Sequence, residues 1–266
     1  MKNLIMTPAV GLETSPLEIF LKTLRRYYKD EILILLGKKD HLLKELAKKY
    51  KCLTQEVEIH KHSIQMKRYE FFYNFLNSST YKKVLFCDSR DIYFQSDPFE
   101  YNFKSPINFF SEGRLIRNCK INSNWINKTY GNDVLEELKD KEIICFGTII
   151  ADQKNMLKYL KEMNFMVKKY PYKKRLKFLL TFRRDKNGRG CDQAYGTYLV
   201  YKKYFKDFEI HSNSTGPIAT VYYLKNLKFN NNSILVNDKD IPYKVVHQYD
   251  KRWKEFEENF KIFTNF

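Results

Sequence analysis

Residues 84–99, VLFCDSRDIYFQSDPF, end an apolar run on two carboxylates: Val84 to Cys87 are followed by Asp88 and then by Asp91. Paired oxygens where a buried strand stops suit a hard divalent cation such as Mg2+ or Mn2+, which takes oxygen ligands and bridges phosphates. Such an ion neutralises charge on a departing diphosphate. Taken alone, the same D-x-x-D is also read as a turn or as a partner for Arg90. His247 closes a late apolar run, Lys244–His247, and is followed by Gln248, Tyr249 and Asp250. A neutral imidazole there suits Mn2+ in a mixed nitrogen and oxygen shell better than Mg2+, and it also suits a structural hydrogen bond. Asp192 follows a glycine at the start of a helical segment, where it either caps the helix or faces an acceptor hydroxyl or a sugar.

These residues need elements to hold them at one place. Asn3–Ala9, Glu31–Leu36, Leu53–Ile59 and Val84–Cys87 read as short strands, the second and fourth as apolar runs and Leu53–Ile59 by its alternation. Between them, Leu17, Phe20, Leu21 and Leu24, then Leu42, Leu43, Leu46 and Tyr50, then Met66, Tyr69, Phe72, Tyr73 and Leu76 recur at helical spacing. Pro16 marks the first helix start and Ser63 is a candidate cap for the third. Strands alternating with helices predict a parallel sheet with helices on both faces, and ligands of such sheets bind beyond the carboxyl ends of the strands. The second half predicts strands at Ile107–Ser111 and Glu142–Ile150, helices at Asn118–Tyr130 and Gln153–Met163, and a helix from Gly190 through Tyr204. Short strand candidates lie near 219–224 and 233–236, and Lys251–Phe260 predicts a terminal helix. No repeat or linker divides the chain, which reads as one domain over residues 1–266.

The 266 residues carry 48 basic and 31 acidic side chains, for a net charge of +17, and 43% are hydrophobic. That apolar content excludes global disorder. The charge favours polyanions or anionic membrane surfaces, although the lysines are dispersed along the chain. Its densest run is Lys168–Arg189, where basic residues interleave with Tyr170, Tyr172, Phe178, Leu179, Leu180 and Phe182. This stretch is expected either to be a solvated surface or to dock a lipid-linked or anionic acceptor at a membrane. The five cysteines follow no metal-ligand spacing, and Cys87 and Cys145 sit inside apolar runs. With no signal-peptide pattern and no apolar run of membrane-spanning length, a reduced, cytoplasmic protein is expected, peripheral at the membrane at most.

In their order and spacing, Thr7-Pro8-Ala9, Arg68, the SRD and FQ-DPF elements of VLFCDSRDIYFQSDPF, Glu112, ICFGTIIAD, GCDQAYGTYL and VVHQYD resemble the GT-A type of nucleotide-diphospho-sugar transferase. The resemblance covers most of the chain, and the motif block is its most specific part. It implies a Rossmann-type, mostly parallel α/β sheet, with residues 1–105 as the nucleotide-binding half and 106–266 as the acceptor-side half. It also implies transfer of a sugar from a nucleoside-diphosphate donor to a hydroxyl of a glycan or lipid-linked acceptor. Asp91, with Asp88 and His247, would hold Mn2+ or Mg2+. Thr7, Ala9, Arg68, Asp88, Gly147 and Gln193 would lie at the donor, and Asp192 would be the catalytic carboxylate. Counted back from Pro98, Asp91 takes the family's second acidic position and Ser89 falls where the first belongs. The resemblance therefore supports Asp91 as a ligand more strongly than Asp88. Other metal-dependent chemistry on phosphates (nucleotidyl transfer, phosphate hydrolysis) and nucleic-acid binding are the rival expectations. The dispersed charge and core-like aromatic spacing speak against nucleic acid.

Overall fold

A computed structural model describes residues 1–58, 64–170, 191–202 and 204–264. Ser63 and most of the basic run, residues 171–190, lie outside the described residues. The chain opens with β1 (Leu4–Pro8), α1 (Thr14–Arg25), β2 (Glu31–Gly37), α2 (His41–Lys49), β3 (Leu53–Val57), α3 (Ile64–Asn77) and β4 (Lys83–Cys87). It continues with β5 (Ile92–Phe94), β6 (Ile107–Leu115), α4 (Lys120–Tyr130), α5 (Asn132–Leu138), β7 (Glu142–Asp152), α6 (Gln153–Lys169) and α7 (Cys191–Tyr201). The last part comprises β8 (Glu209–His211), β9 (Ile218–Thr220), β10 (Lys228–Phe229), β11 (Leu235–Val236), β12 (Val245–His247) and α8 (Trp253–Thr264).

The central seven-stranded sheet runs β3-β2-β1-β4-β7-β6-β8. The pairs β3–β2, β2–β1, β1–β4 and β6–β8 are parallel, and β7 is antiparallel to both its neighbours. The expectation of an α/β protein with a mostly parallel sheet holds, and β7 is the strand that departs from a purely parallel arrangement. Alternation along each strand divides the core between the two faces. Leu4, Met6, Leu33, Leu35, Val84 and Phe86 pack with α3, α6 and α7, whereas Ile5, Ile32, Ile34, Leu36, Leu85 and Cys87 pack with α1 and α2. Leu17, Phe20, Leu21 and Leu24 of α1 are fully buried, each contributing about 1.5–3 kcal/mol relative to exposure.

A second, three-stranded sheet, β5-β12-β9, is what brings the end of the chain to the motif. In β12, His247 pairs with Ile92 of β5, the residue after Asp91, and with Thr220 of β9. Gln95 fastens the same region: its amide donates to the carbonyls of Leu235 and Tyr243 at 2.9 Å each, and its oxygen accepts from the Leu235 N–H at 2.8 Å. The FQ element of the motif is thus a clamp on the C-terminal segment.

Several elements differ from the sequence reading. The helix expected over Asn118–Tyr130 begins at Lys120 after a 3-10 turn, Ile116–Asn118, and α5 follows it beyond Gly131. Helix α6 runs on to Lys169, and residues 221–223 form a 3-10 turn instead of extending β9. Helix α7 stops at Tyr201. Strands β5 and β8 are three residues each, too short for periodicity to reveal. Among the described residues, no helix is long and apolar enough to cross a membrane.

Helix α7, which carries Asp192 and Gln193, approaches the sheet through Gly196: a Cβ there would come within 2.5–2.6 Å of three Phe146 ring carbons. Gly196→Ala is therefore expected to lower stability by about 1–3 kcal/mol through overpacking, measured by urea denaturation. An unchanged midpoint would mean that the helix shifts freely.

Candidate metal centre at the carboxyl edge of the sheet

Strand β4 ends one residue before Asp88, at the edge where β1, β2 and β6 also end. The Asp88 N–H donates to the Gly147 carbonyl at 2.9 Å, and the Ser89 hydroxyl donates to the Pro8 carbonyl at 2.7 Å. Ser89, in the position where the resembling family has its first acid, is thus buried and spent on holding the motif to β1. The chain then turns Asp91 inward. The Asp91 carbonyl accepts from the Gln248 N–H at 2.7 Å, which fixes the link to β12.

Donor atoms of Asp88, Asp91 and His247 lie within 4.8 Å of one another. His247 Nε2 is 3.3 Å from Asp91 Oδ1 and 3.9 Å from Asp88 Oδ2, while its Nδ1 lies 3.2 Å from Cys145 Sγ. The ring therefore presents Nε2 to the carboxylates. Burial alone would depress the His247 imidazole, but Cys145 and Asp91 outweigh it and raise its pKa. Burial would likewise raise Asp91, yet His247 and Arg90 bring it down to about 2. Two carboxylate oxygens and one imidazole nitrogen, already gathered around a shared positive charge, match the donor set of a divalent ion, with an imidazole more typical of Mn2+ than of Mg2+.

Room for that set depends on Gly147 in the middle of β7. A Cβ at this position would lie 2.5 Å from His247 Cε1 and 2.8 Å from Asp88 Oδ2. The glycine is required by the His247 and Asp88 side chains that close over it.

Arg68 underlies the cluster. Its side chain is 4% exposed, with Nη1 2.5 Å from Asp88 Oδ1 and Nη2 3.1 Å from Asp192 Oδ2. Phe86 lies under the guanidinium, 4.7 Å from ring centroid to Cζ. The Tyr69 hydroxyl donates to Asp192 at 3.2 Å. Burial raises the Asp192 pKa despite Arg68. Arg68 thus joins Asp88 and Asp192, two of the residues singled out from sequence, into one buried network. Arg68→Gln should cost about 3 kcal/mol by leaving Asp192 buried without its cation. Combining it with Asp192→Asn should recover much of that loss in thermal or urea unfolding, whereas strict additivity would contradict the coupling.

The pairing of Arg90 with the motif acids is also present: Arg90 Nη2 lies 3.4 Å from both Asp91 Oδ2 and Asp250 Oδ2. It stands beside the three-residue cluster without displacing it. Gln193 reaches back to β7, donating from Nε2 to the Ile144 carbonyl at 2.6 Å, and it lies close enough to the Glu112 carboxyl to lower its pKa against the effect of burial. Thr7 lies in β1 and Ala9 just beyond its end, both buried, and the Ala9 N–H is taken by the Leu35 carbonyl. They line the base of the edge and do not join the side-chain cluster.

Tyr69 and Cys145 carry no legible role in the sequence, and Glu112 enters there only as part of the resemblance, with no role assigned. Tyr69 and Cys145 look like ordinary apolar positions. An acid inside an apolar strand was the available signal for Glu112, whose carboxyl is pushed up to about 7 by burial, with His247 and Gln193 opposing. No family model matches the chain and no curated protein shows similarity to it, so the functional reading rests on the geometry of the site.

Proposed function

We propose that the protein is a divalent-metal-dependent glycosyltransferase of the GT-A type, moving a sugar from a nucleoside-diphosphate donor to an acceptor hydroxyl. The observation that carries this reading is the convergence of Asp88, Asp91 and His247 within 4.8 Å at the carboxyl edge of the sheet. The chain leaves β1 for β2 on one side and returns to β4 on the other. Ligands of open α/β sheets settle at such a switch point, beyond the ends of β1 and β4. Asp88 and Asp91 flank that crevice, which suits a metal shared between protein and diphosphate.

When bound, Mn2+ or Mg2+ would supply positive charge against the leaving diphosphate. The chain's own residues do the rest. Arg68 and Gly147 hold Asp88 and His247 in place, and Asp192, expected from the resemblance as the catalytic carboxylate, is instead committed to Arg68 and Tyr69 and acts as a positioning residue. Glu112, a buried carboxylate on β6 close enough to His247 to interact with it, is the candidate to take the proton released as the acceptor oxygen bonds to the anomeric carbon and the bond to diphosphate breaks.

The reading is tested by thermal shift with nucleoside diphosphates and nucleotide sugars, with and without Mn2+. A ligand at 100 times its dissociation constant adds about 2.7 kcal/mol of stability. That stabilisation is expected only with both metal and nucleotide present. Equal shifts without Mn2+, or none with any nucleotide, would contradict it.

A further inference from the structure

Arginines around this edge are mostly matched to acids: Arg68 to Asp88 and Asp192, Arg90 to Asp91 and Asp250, Arg117 to Asp140, and Arg252 to Glu255. Arg114, near the end of β6, forms no ion pair among the described residues. It donates from Nη2 to the Asn118 carbonyl, and its guanidinium lies 4.9 Å over the ring of Tyr223. A guanidinium carries five N–H donors, so one carbonyl leaves most of the fork uncommitted. Arg114 is half-buried, and none of its nitrogens is a buried donor without a partner, so the free donors face solvent, where a ligand can reach them.

The tyrosine beneath it belongs to an aromatic pair. Tyr222 and Tyr223 have centroids 4.5 Å apart, and Tyr222 is 49% exposed. The Tyr223 hydroxyl lies 3.6 Å from Cys119 Sγ, which anchors the pair to the start of α4. Strand pairing ties this pair to the candidate metal cluster: His247 pairs with Thr220 of β9, and Tyr222 and Tyr223 lie two and three residues further along the chain. Asn213 Nδ2 donates to the carbonyls of Glu112 and Thr220, which holds the strand carrying Arg114 beside the turn carrying the two tyrosines.

An exposed aromatic ring offers a flat apolar surface suited to the C–H face of a sugar. A guanidinium fork beside it recognises a carboxylate or phosphate with bidentate geometry. We propose that Arg114, Tyr222 and Tyr223 form the acceptor subsite, and that it takes a saccharide bearing an anionic group. This deepens the transferase reading and rests on it.

The test is calorimetric binding to the protein held with Mn2+ and a nucleoside diphosphate. Three matched ligands are compared: methyl β-glucoside, its 6-phosphate and methyl β-glucuronide. At least one anionic glycoside is expected to bind about tenfold or more tighter than the neutral one, as a charge-assisted contact supplies. Whichever binds tighter identifies phosphate or carboxylate as the recognised group. Arg114→Gln should erase the difference, and Tyr222→Ala, at an exposed ring, should weaken all three about tenfold; neither should alter nucleoside diphosphate binding. Equal binding of the three, binding of none, or a preference that survives Arg114→Gln would overturn the proposal. Failure of the nucleoside diphosphate itself to bind with Mn2+ would instead remove the transferase reading, and this inference with it.

Discussion

Asp91→Asn is expected to raise the Mn2+ concentration needed for half-maximal activity by at least about 100-fold. Asparagine keeps the shape of the side chain and one acceptor oxygen, but it removes the anionic charge on which a hard cation relies. Altering only the partners behind a metal ligand already costs roughly 10–100-fold in affinity, so loss of a charged ligand belongs at or above the top of that range. Asp91 is the better buried of the two acids, its side chain 9% exposed against 37% for Asp88. Water has least access to replace it. Titration of activity against Mn2+, with the unfolding midpoint recorded without metal, separates ligand loss from fold loss. A half-saturating concentration matching the parent would remove Asp91 from the metal shell. Asp88→Asn should weaken the metal less, because water can take its place more readily.

Gly147→Ala should also weaken metal binding, although the residue offers no ligand atom. The added methyl would collide with His247 Cε1 at 2.5 Å and Asp88 Oδ2 at 2.8 Å, so both side chains must move. Neither can retreat cheaply: Asp88 is tied to Arg68, and His247 is buried against Cys145. Overpacking of this kind costs about 1–3 kcal/mol of stability. Displacing two of three ligands is expected to weaken Mn2+ roughly 10–100-fold, the scale seen when ligand orientation is lost. The two effects should appear together in one variant, read by urea denaturation and by metal titration. Normal metal affinity in a destabilised Gly147→Ala protein would show that His247 and Asp88 do not close over the glycine as ligands.

The acid motif and its setting were legible because they rest on local patterns. An apolar run ending on carboxylates gives the end of β4, and helical spacing between short strands gives the alternation that creates a carboxyl edge. What stayed hidden depends on distant pairing. His247 reaches Asp91 only because β5 and β12 pair, and both are three-residue strands with no period to detect. Arg68 was expected at the donor, but its pairing with Asp192, 124 residues further on, depends on where α7 packs. That packing requires Gly196 against Phe146, a contact between residues with no local relation. Strand β7 is as apolar as a parallel strand, since both of its faces are covered, and so its reversed direction leaves no mark on its composition. Ser89 and Asp88 were ordered differently by the resemblance than by the fold: the serine bonds β1, and the aspartate enters the cluster.

The most direct measurement is the product released from a panel of nucleotide sugars incubated with the protein and Mn2+, resolved by anion-exchange chromatography. The account predicts that at least one donor yields a nucleoside diphosphate in a metal-dependent manner, that a saccharide acceptor accelerates this release and gains the sugar, and that chelation abolishes both. Release of nucleoside monophosphate, or no diphosphate from any donor across the panel, would contradict it.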